Sequence, residues 1–333
     1  MMRTGLKWLS VVTAAGMGLV LLMGALVTKT GSGDGCGKDW PLCNGKFVPA
    51  YTVESMIEYS HRAVSGAVGL LVVAAAVAAW LKLRHNKEAL LYIGIGFGFT
   101  VVQSILGAMA VIWPQSDAVM ALHFGFSLIA FAGTLLFAIG VCNGRFAPEE
   151  DRPRDIARRR PPHSSRISAG FRNLVWGTTI YSYAVVYLGA FVRHTDSMGG
   201  CAGWPLCNGQ WIPELSGATG IVFLHRTAAL LLLVLVAVLA VIAQRRYGDI
   251  PPLRNGSLWA AGLTILQILC GAAIVFSMGT DWYLLAALAH VVVVSGLFGV
   301  LCELSATAYR HGVGAEQGHS VPVGAGWVGK GRT

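Results

Sequence analysis

The chain is expected to be an all-α polytopic membrane protein, with eight transmembrane helices forming two pseudo-symmetric four-helix bundles as parallel repeats. Three observations carry this. Of 333 residues, 55% are hydrophobic and only 12% charged, about half the charged share of an ordinary soluble domain. Apolar runs of about 20 residues, long enough to cross the hydrocarbon as a helix, recur eight times. One segment that carries cysteines and a histidine occurs twice.

The runs fall at 8–28, 59–81, 89–112, 118–142, 174–193, 220–243, 257–277 and 283–308. In lipid every backbone polar group must find its partner internally, so each run is expected to be a helix. The first begins after Arg3 and Lys7, as a signal peptide would. Its apolar stretch is longer than a signal core, and Met23-Gly-Ala-Leu-Val-Thr aligns with Leu188-Gly-Ala-Phe-Val-Arg of the fifth run. It is therefore expected to be retained. With no transit-type presequence, a bacterial plasma membrane is the expected location.

Lys and Arg placement predicts orientation. With the N-terminus inside, 19 of the 25 basic residues fall on cytoplasmic segments, and Lys29, Lys38, Lys46, Arg62, Arg193 and Arg226 fall outside. The net charge of +9 then reports topology, not nucleic-acid binding. Two four-helix halves, 1–142 and 171–310, are joined by a Pro/Arg-rich cytoplasmic linker, 143–170, whose basic stretch 152–166 reads as a solvated linker or a headgroup contact. A Gly-rich tail, 311–333, is expected to be disordered. Both termini are expected in the cytoplasm. An even helix number per half makes the repeats parallel.

The repeated segment carries the chemistry. Cys36 and Cys43 precede His61-Arg62, and Cys201 and Cys207 precede His225-Arg226; the second cysteine lies 18 positions before the histidine in both copies. The register of 164 positions continues from Gln103 and Gly107 to Gln267 and Gly271, and His123 is matched by His290 after a three-residue slip. All four histidines fall early in even-numbered helices, at similar depth in the outer half of the membrane. Ionisable groups there are costly and mark function. Neutral imidazole is a good ligand for haem iron, and bundles build cofactor sites from facing helices. The expected pairs are His61 with His123 and His225 with His290. Arg62 and Arg226 offer forks for propionates, or else snorkel to headgroups. Gly66, Gly69, Gly107, Gly125, Gly271 and Gly296 are read first as helix-packing positions, and second as room for a flat macrocycle.

The halves differ at Glu58, one helical turn before His61, where the second copy has Val222. A carboxylate there can accept a proton or stabilise a developing cation; a glutamate facing water at a loop end is the bland alternative. The asymmetry predicts that the first half works on a substrate and the second holds a permanent cofactor. Cys36–Cys43 and Cys201–Cys207, each spanning a Trp-Pro-Leu turn, are expected disulfides on an oxidising face. They either staple a lid over the histidines or carry redox chemistry. Zinc is disfavoured, since the spacing is not C-x2-C. Cys142, Cys270 and Cys302 read as small apolar packing residues.

Taken together, Glu58-Tyr-Ser-His61-Arg62, His123, His225-Arg226, His290 and the two cysteine-bearing loops resemble the haem A synthase family, in its form with paired cysteines. The likeness covers residues 1–310, leaving out the linker and tail. It implies oxidation of the C8 methyl of haem O to a formyl group by successive hydroxylations, giving haem A for terminal oxidases. It implies haem O in the N-terminal half, with His61, His123 and Glu58, and haem B as electron carrier in the C-terminal half, with His225 and His290. Expected partners are a haem O synthase (the farnesyltransferase), the lipid bilayer and an unidentified electron acceptor. A homo-oligomer is compatible with the sequence. Two rival classes remain: a di-haem b-type carrier or quinone oxidoreductase, and a transporter of parallel four-helix repeats.

Overall fold

The computed structural model describes residues 2–49, 51–113, 115–147 and 167–313. Among them are eight long helices: α1 (Met2–Thr30), α2 (Val53–Leu83), α3 (Lys87–Ile112), α4 (Asp117–Cys142), α5 (Ala169–His194), α6 (Gly217–Arg246), α7 (Pro251–Ser277) and α8 (Tyr283–Val313). All eight are long and apolar enough to span a membrane. The basic stretch 152–166 lies outside the described residues, as does the tail from residue 314.

Several helices begin earlier than their apolar runs because polar residues cap them. The side chains of Thr52, Asn86, Ser116 and Ser168 accept hydrogen bonds from the backbone N–H groups of Ser55, Ala89, Val119 and Phe171. Each satisfies a first-turn donor that the helix itself cannot. α7 instead starts on Pro251-Pro252, where a missing N–H is harmless. Such caps sit beyond the hydrocarbon, so hydropathy alone does not register them.

Within α1–α4, α1 packs on α2 and α4, α2 on α3, and α3 on α4; the same pairings hold among α5–α8. The halves meet where α4 packs on α5 and α8, and α1 on α8. α4 is accordingly the most enclosed span, 67% buried in its apolar window against 17–33% for the others. Small residues make this closeness possible. A Cβ on Gly133 would stand 2.6 Å from the Gly96 nitrogen, and one on Gly96 2.8 Å from the Thr134 methyl. The exposed aliphatics on the remaining helices, Leu70, Leu81, Leu230 and Ile265 among them, are ordinary lipid-facing residues for a membrane span.

One polar cluster ties the halves at the end opposite the cysteine loops. Arg145 meets Glu303 at 2.5 Å and Glu88 at 3.6 Å; Arg310 meets Glu88 at 2.8 Å and Glu303 at 3.0 Å. The Tyr92 hydroxyl donates to Glu88 at 2.7 Å. Two cations and two anions alternate across the seam, so each charge has two opposite neighbours.

Candidate functional site

Each loop between the first two helices of a half is closed by its cysteine pair, Cys36–Cys43 and Cys201–Cys207, both bonded. The turns are built alike. Cys43 bridges Lys46 and Cys207 bridges Gln210. Asn44 and Asn208 take left-handed φ values of 49° and 54°, each followed by a left-handed glycine. Asn and Gly tolerate that region where other residues are strained.

The arginine after each first histidine holds its loop. Arg62 donates to the carbonyls of Asp39 (2.8 Å) and Leu42 (2.6 Å), and to the Glu58 carboxylate. Arg226 donates to the carbonyls of Gly203 (3.0 Å), Leu206 (3.2 Å) and Cys201 (3.2 Å). Both arginines thus hold their loops, a role the sequence did not announce, and both also line the cavity that the four histidines share.

Glu58 is buried at 4% exposure, which removes the reading of a glutamate facing water. It accepts from the Cys36 N–H at 2.7 Å as well as from Arg62. Val222, in its place in the second half, packs against Cys201 and Cys207 in an apolar cluster.

His61, His123, His225 and His290 all line one cavity of about 1340 Å³, larger than the roughly 300–1,000 Å³ of a single small-ligand site. It is continuous across the two halves and roofed by Trp40, Pro41, Trp204 and Pro205. Each ring rests against a glycine of a neighbouring helix. A Cβ on Gly24, Gly107, Gly189 or Gly271 would lie 3.3, 3.3, 2.9 or 3.4 Å from the Cε1 of His61, His123, His225 or His290 respectively. The Nδ1 of all four is buried and has no hydrogen-bond partner among the described residues. Four cradled imidazoles in one wide cavity fit planar macrocycles that take two axial ligands each. Among the described residues no three His, Cys, Asp or Glu side chains converge as a metal-binding group.

Comparison with known proteins decides the family. A model of cytochrome oxidase assembly proteins matches residues 7–302. The chain belongs to this family. It is similar to proteins named heme A synthase: 43% identical to that of Symbiobacterium thermophilum over 90% of this chain and 94% of the relative. Against that of Geobacillus kaustophilus it is 42% identical over 93% of each. Against that of Shouchella clausii it is 39% identical over 93% of this chain and 99% of the relative.

As a member of this family the chain has cavity residues that its motifs did not single out. Lys29, Arg193 and His194 line the cavity from the ends of α1 and α5. Lys29 Nζ meets the Met198 sulfur at 3.9 Å and has no carboxylate partner among the described residues. Arg193 donates to the Thr28 carbonyl at 2.5 Å and pairs with Asp196 at 2.7 Å. One residue beyond the alignment of the first and fifth runs, Lys29 and His194 hold equivalent places, so the repeat itself could have revealed them. Gln103 accepts from the Ser127 hydroxyl, whereas the Gln267 carbonyl oxygen is buried without a partner among the described residues; Val294 lines the wall where Ser127 stands in the first half.

The glycine readings divide. Gly107 and Gly271 back histidines, and Gly125 lies under the Tyr183 ring. Gly66, Gly69 and Gly296 face open space, which corrects the packing reading at these three and agrees with the second reading, that they leave room. Cys142 is exposed at the end of α4, which corrects its reading as a packing residue, while Cys270 and Cys302 are partly buried. Cys302 packs against core clusters on both sides of the seam.

Proposed function

We propose that this chain is a haem A synthase, oxidising the C8 methyl of haem O to a formyl group by successive hydroxylations and so supplying haem A to terminal oxidases. In this reading His61 and His123 hold haem O as substrate, and His225 and His290 hold haem B. The observation that carries it is the set of four glycine-backed histidines around one cavity roofed by two disulfide-closed turns.

Bound between His225 and His290, haem B would supply reversible one-electron chemistry at its iron. The protein's own part is positioning and proton handling. Gly24 and Gly107 leave His61 and His123 room to stand upright at the wall. Arg62 and the Cys36 N–H fix the Glu58 carboxylate one helical turn before His61, where it takes the proton released as the methyl is oxidised, the electrons leaving to an acceptor that is not identified. The Trp-Pro-Leu turns keep water from the reacting edge. Lys29, which has no carboxylate partner among the described residues, offers positive charge for propionates at the cavity wall beside Arg62 and Arg226. Val222 leaves the second half without a proton acceptor, consistent with a cofactor that is held and not altered.

The membrane orientation that goes with this reading places the disulfide loops outside and both termini in the cytoplasm of a bacterial plasma membrane. A haem O synthase is the natural donor of substrate. The alternative of a di-haem carrier uses the same histidines but gives Glu58 only its structural contacts to Cys36 and Arg62, and does not explain why the second half has Val222 there. Replacing Glu58 with Gln keeps the shape and one acceptor oxygen, while the amide NH2 replaces the acceptor that faced either the Cys36 N–H or Arg62. In cells supplied with haem O, Glu58→Gln is expected to bind haem at wild-type level while haem A formation falls at least about 100-fold, the scale of a lost general base. Haem A at wild-type level would remove this role for Glu58, and absence of haem O or haem A from the wild type would remove the synthase reading.

A further inference from the structure

A second cavity, of about 460 Å³, opens between α2 and α3, with Gly69, Val73, Phe97, Val101, Ser104 and Ile105 in its walls. It adjoins the histidine cavity: Trp40, Gly69, Ser104 and Ala108 line both. On its far side Val73, Phe97, Val101 and Ile105 are exposed, which on membrane-spanning helices means exposure to acyl chains. A continuous apolar path thus runs from the His61–His123 pair to the lipid.

The repeat shows what makes the path. The histidine register sets α2 against α6, and the Gln103–Gln267 register sets α3 against α7, both at 164 positions. In that register Gly66, Gly69 and Ser104 correspond to Leu230, Leu233 and Ile268. Three small residues in the first half stand where the second half has three branched aliphatics. A Cβ on Gly66 or Gly69 would meet nothing within 4 Å, so no close helix contact demands glycine there. Glycine in a helix interior costs stability, and at these two positions its effect is to leave a gap.

Resting on the haem O reading above, we propose that the α2–α3 groove holds the isoprenoid chain of the substrate. Gly66, Gly69 and Ser104 admit a porphyrin with a long aliphatic substituent to the first half, while Leu230, Leu233 and Ile268 exclude it from the second. Discrimination between two haems that share the same iron and propionates then comes from steric exclusion on one side and not from any contact to the ring.

The test uses the full-length protein, made beside a haem O supply, purified in detergent, with its extracted haems counted per chain. Gly69→Leu with Ser104→Ile gives the first half the second half's wall. Haem O plus haem A per chain is expected to fall about tenfold or more, while haem B per chain holds or rises. Ser104→Ile alone is expected to move the same way by less, and it decides the matter if the double variant does not accumulate. The reverse pair, Leu233→Gly with Ile268→Ser, is expected to lower the ratio of haem B to haem O. Unchanged haem O plus haem A in the first-half variants would mean that the groove holds only membrane lipid, and would overturn the proposal. That outcome is distinct from a wild type with neither haem O nor haem A, which defeats the synthase reading itself.

Discussion

Replacing the glycine behind each histidine with alanine should produce two effects of opposite sign, ranked by distance. The added methyl on Gly189 would stand 2.9 Å from His225 Cε1, closer than two carbons can approach, so the ring must move. At Gly24 and Gly107 the distance is 3.3 Å, which a shift of a few tenths of an ångström relieves, and at Gly271 it is 3.4 Å, an ordinary contact. Overpacking of this kind costs about 1–3 kcal/mol when the neighbour cannot yield. With no haem bound, the imidazole yields by rotating. When the ring is fixed to iron it cannot, so the penalty falls on the loaded state.

At about 1.4 kcal/mol per tenfold, Gly189→Ala should weaken haem retention by roughly 5- to 150-fold. Gly24→Ala and Gly107→Ala should do so by less, and Gly271→Ala barely at all. In the haem-free chain the sign reverses, because alanine is the better helix former by about 0.5–1 kcal/mol. The assay is Soret absorbance per chain across a haem titration, paired with thermal unfolding of haem-free protein in detergent. If Gly271→Ala lost as much haem as Gly189→Ala, or if no glycine variant lost any, the placement of these rings as ligands would be wrong.

Three further outcomes follow from the same geometry. Lys29→Met removes a positive charge from the wall of the cavity that His290 lines, and the midpoint potential of haem in the second half should fall by roughly 60 mV, the one-electron equivalent of 1.4 kcal/mol; an unmoved potential in a redox titration would place Lys29 away from the haem. Glu303→Gln leaves Arg145 and Arg310 sharing Glu88 alone, at sites 20–28% exposed. Thermal unfolding should register a loss of about 1–2 kcal/mol, with haem content unchanged at permissive temperature. Opening the Cys201–Cys207 pair by Cys→Ser at both positions frees a loop of six positions, worth about 2 kcal/mol on the chain-entropy view. Protease sensitivity near Trp204 should rise, and unchanged sensitivity would deny the turn its part as a lid.

Much of this fold was readable because a membrane simplifies the grammar of a sequence. Eight apolar runs had to be helices, and the exact repeat of the Cys–His interval located His61 and His225 before any coordinate was known. What escaped was whatever depends on where side chains end. Arg62 and Arg226 read as propionate partners or as headgroup snorkels, and the loop carbonyls 20 to 25 residues earlier in the chain that they also hold were not announced by any spacing. Gly66 and Gly69 read as packing because small residues in membrane helices usually pack. Only the empty space around them separates a contact from a gap. Glu303 was visible in principle, as a carboxylate within an apolar run, but its partners Glu88, Arg145 and Arg310 come from three other positions that no spacing rule connects.

The differences between the halves form one pattern. Cys–Cys, His–Arg and the backing glycines are kept in both copies, and these are the parts that hold a macrocycle in place. Glu58 becomes Val222, Ser127 becomes Val294, and Gly66, Gly69 and Ser104 become Leu230, Leu233 and Ile268. Every one of these changes makes the second half more apolar or more filled. A site that only binds needs neither a proton acceptor nor a passage to the lipid, since its ligand neither changes nor leaves. A site that converts a lipid-tailed substrate and releases it needs both. The polar and empty positions are concentrated in the first half, so the direction of the asymmetry itself argues for turnover beside His61 and His123 and for permanent residence beside His225 and His290.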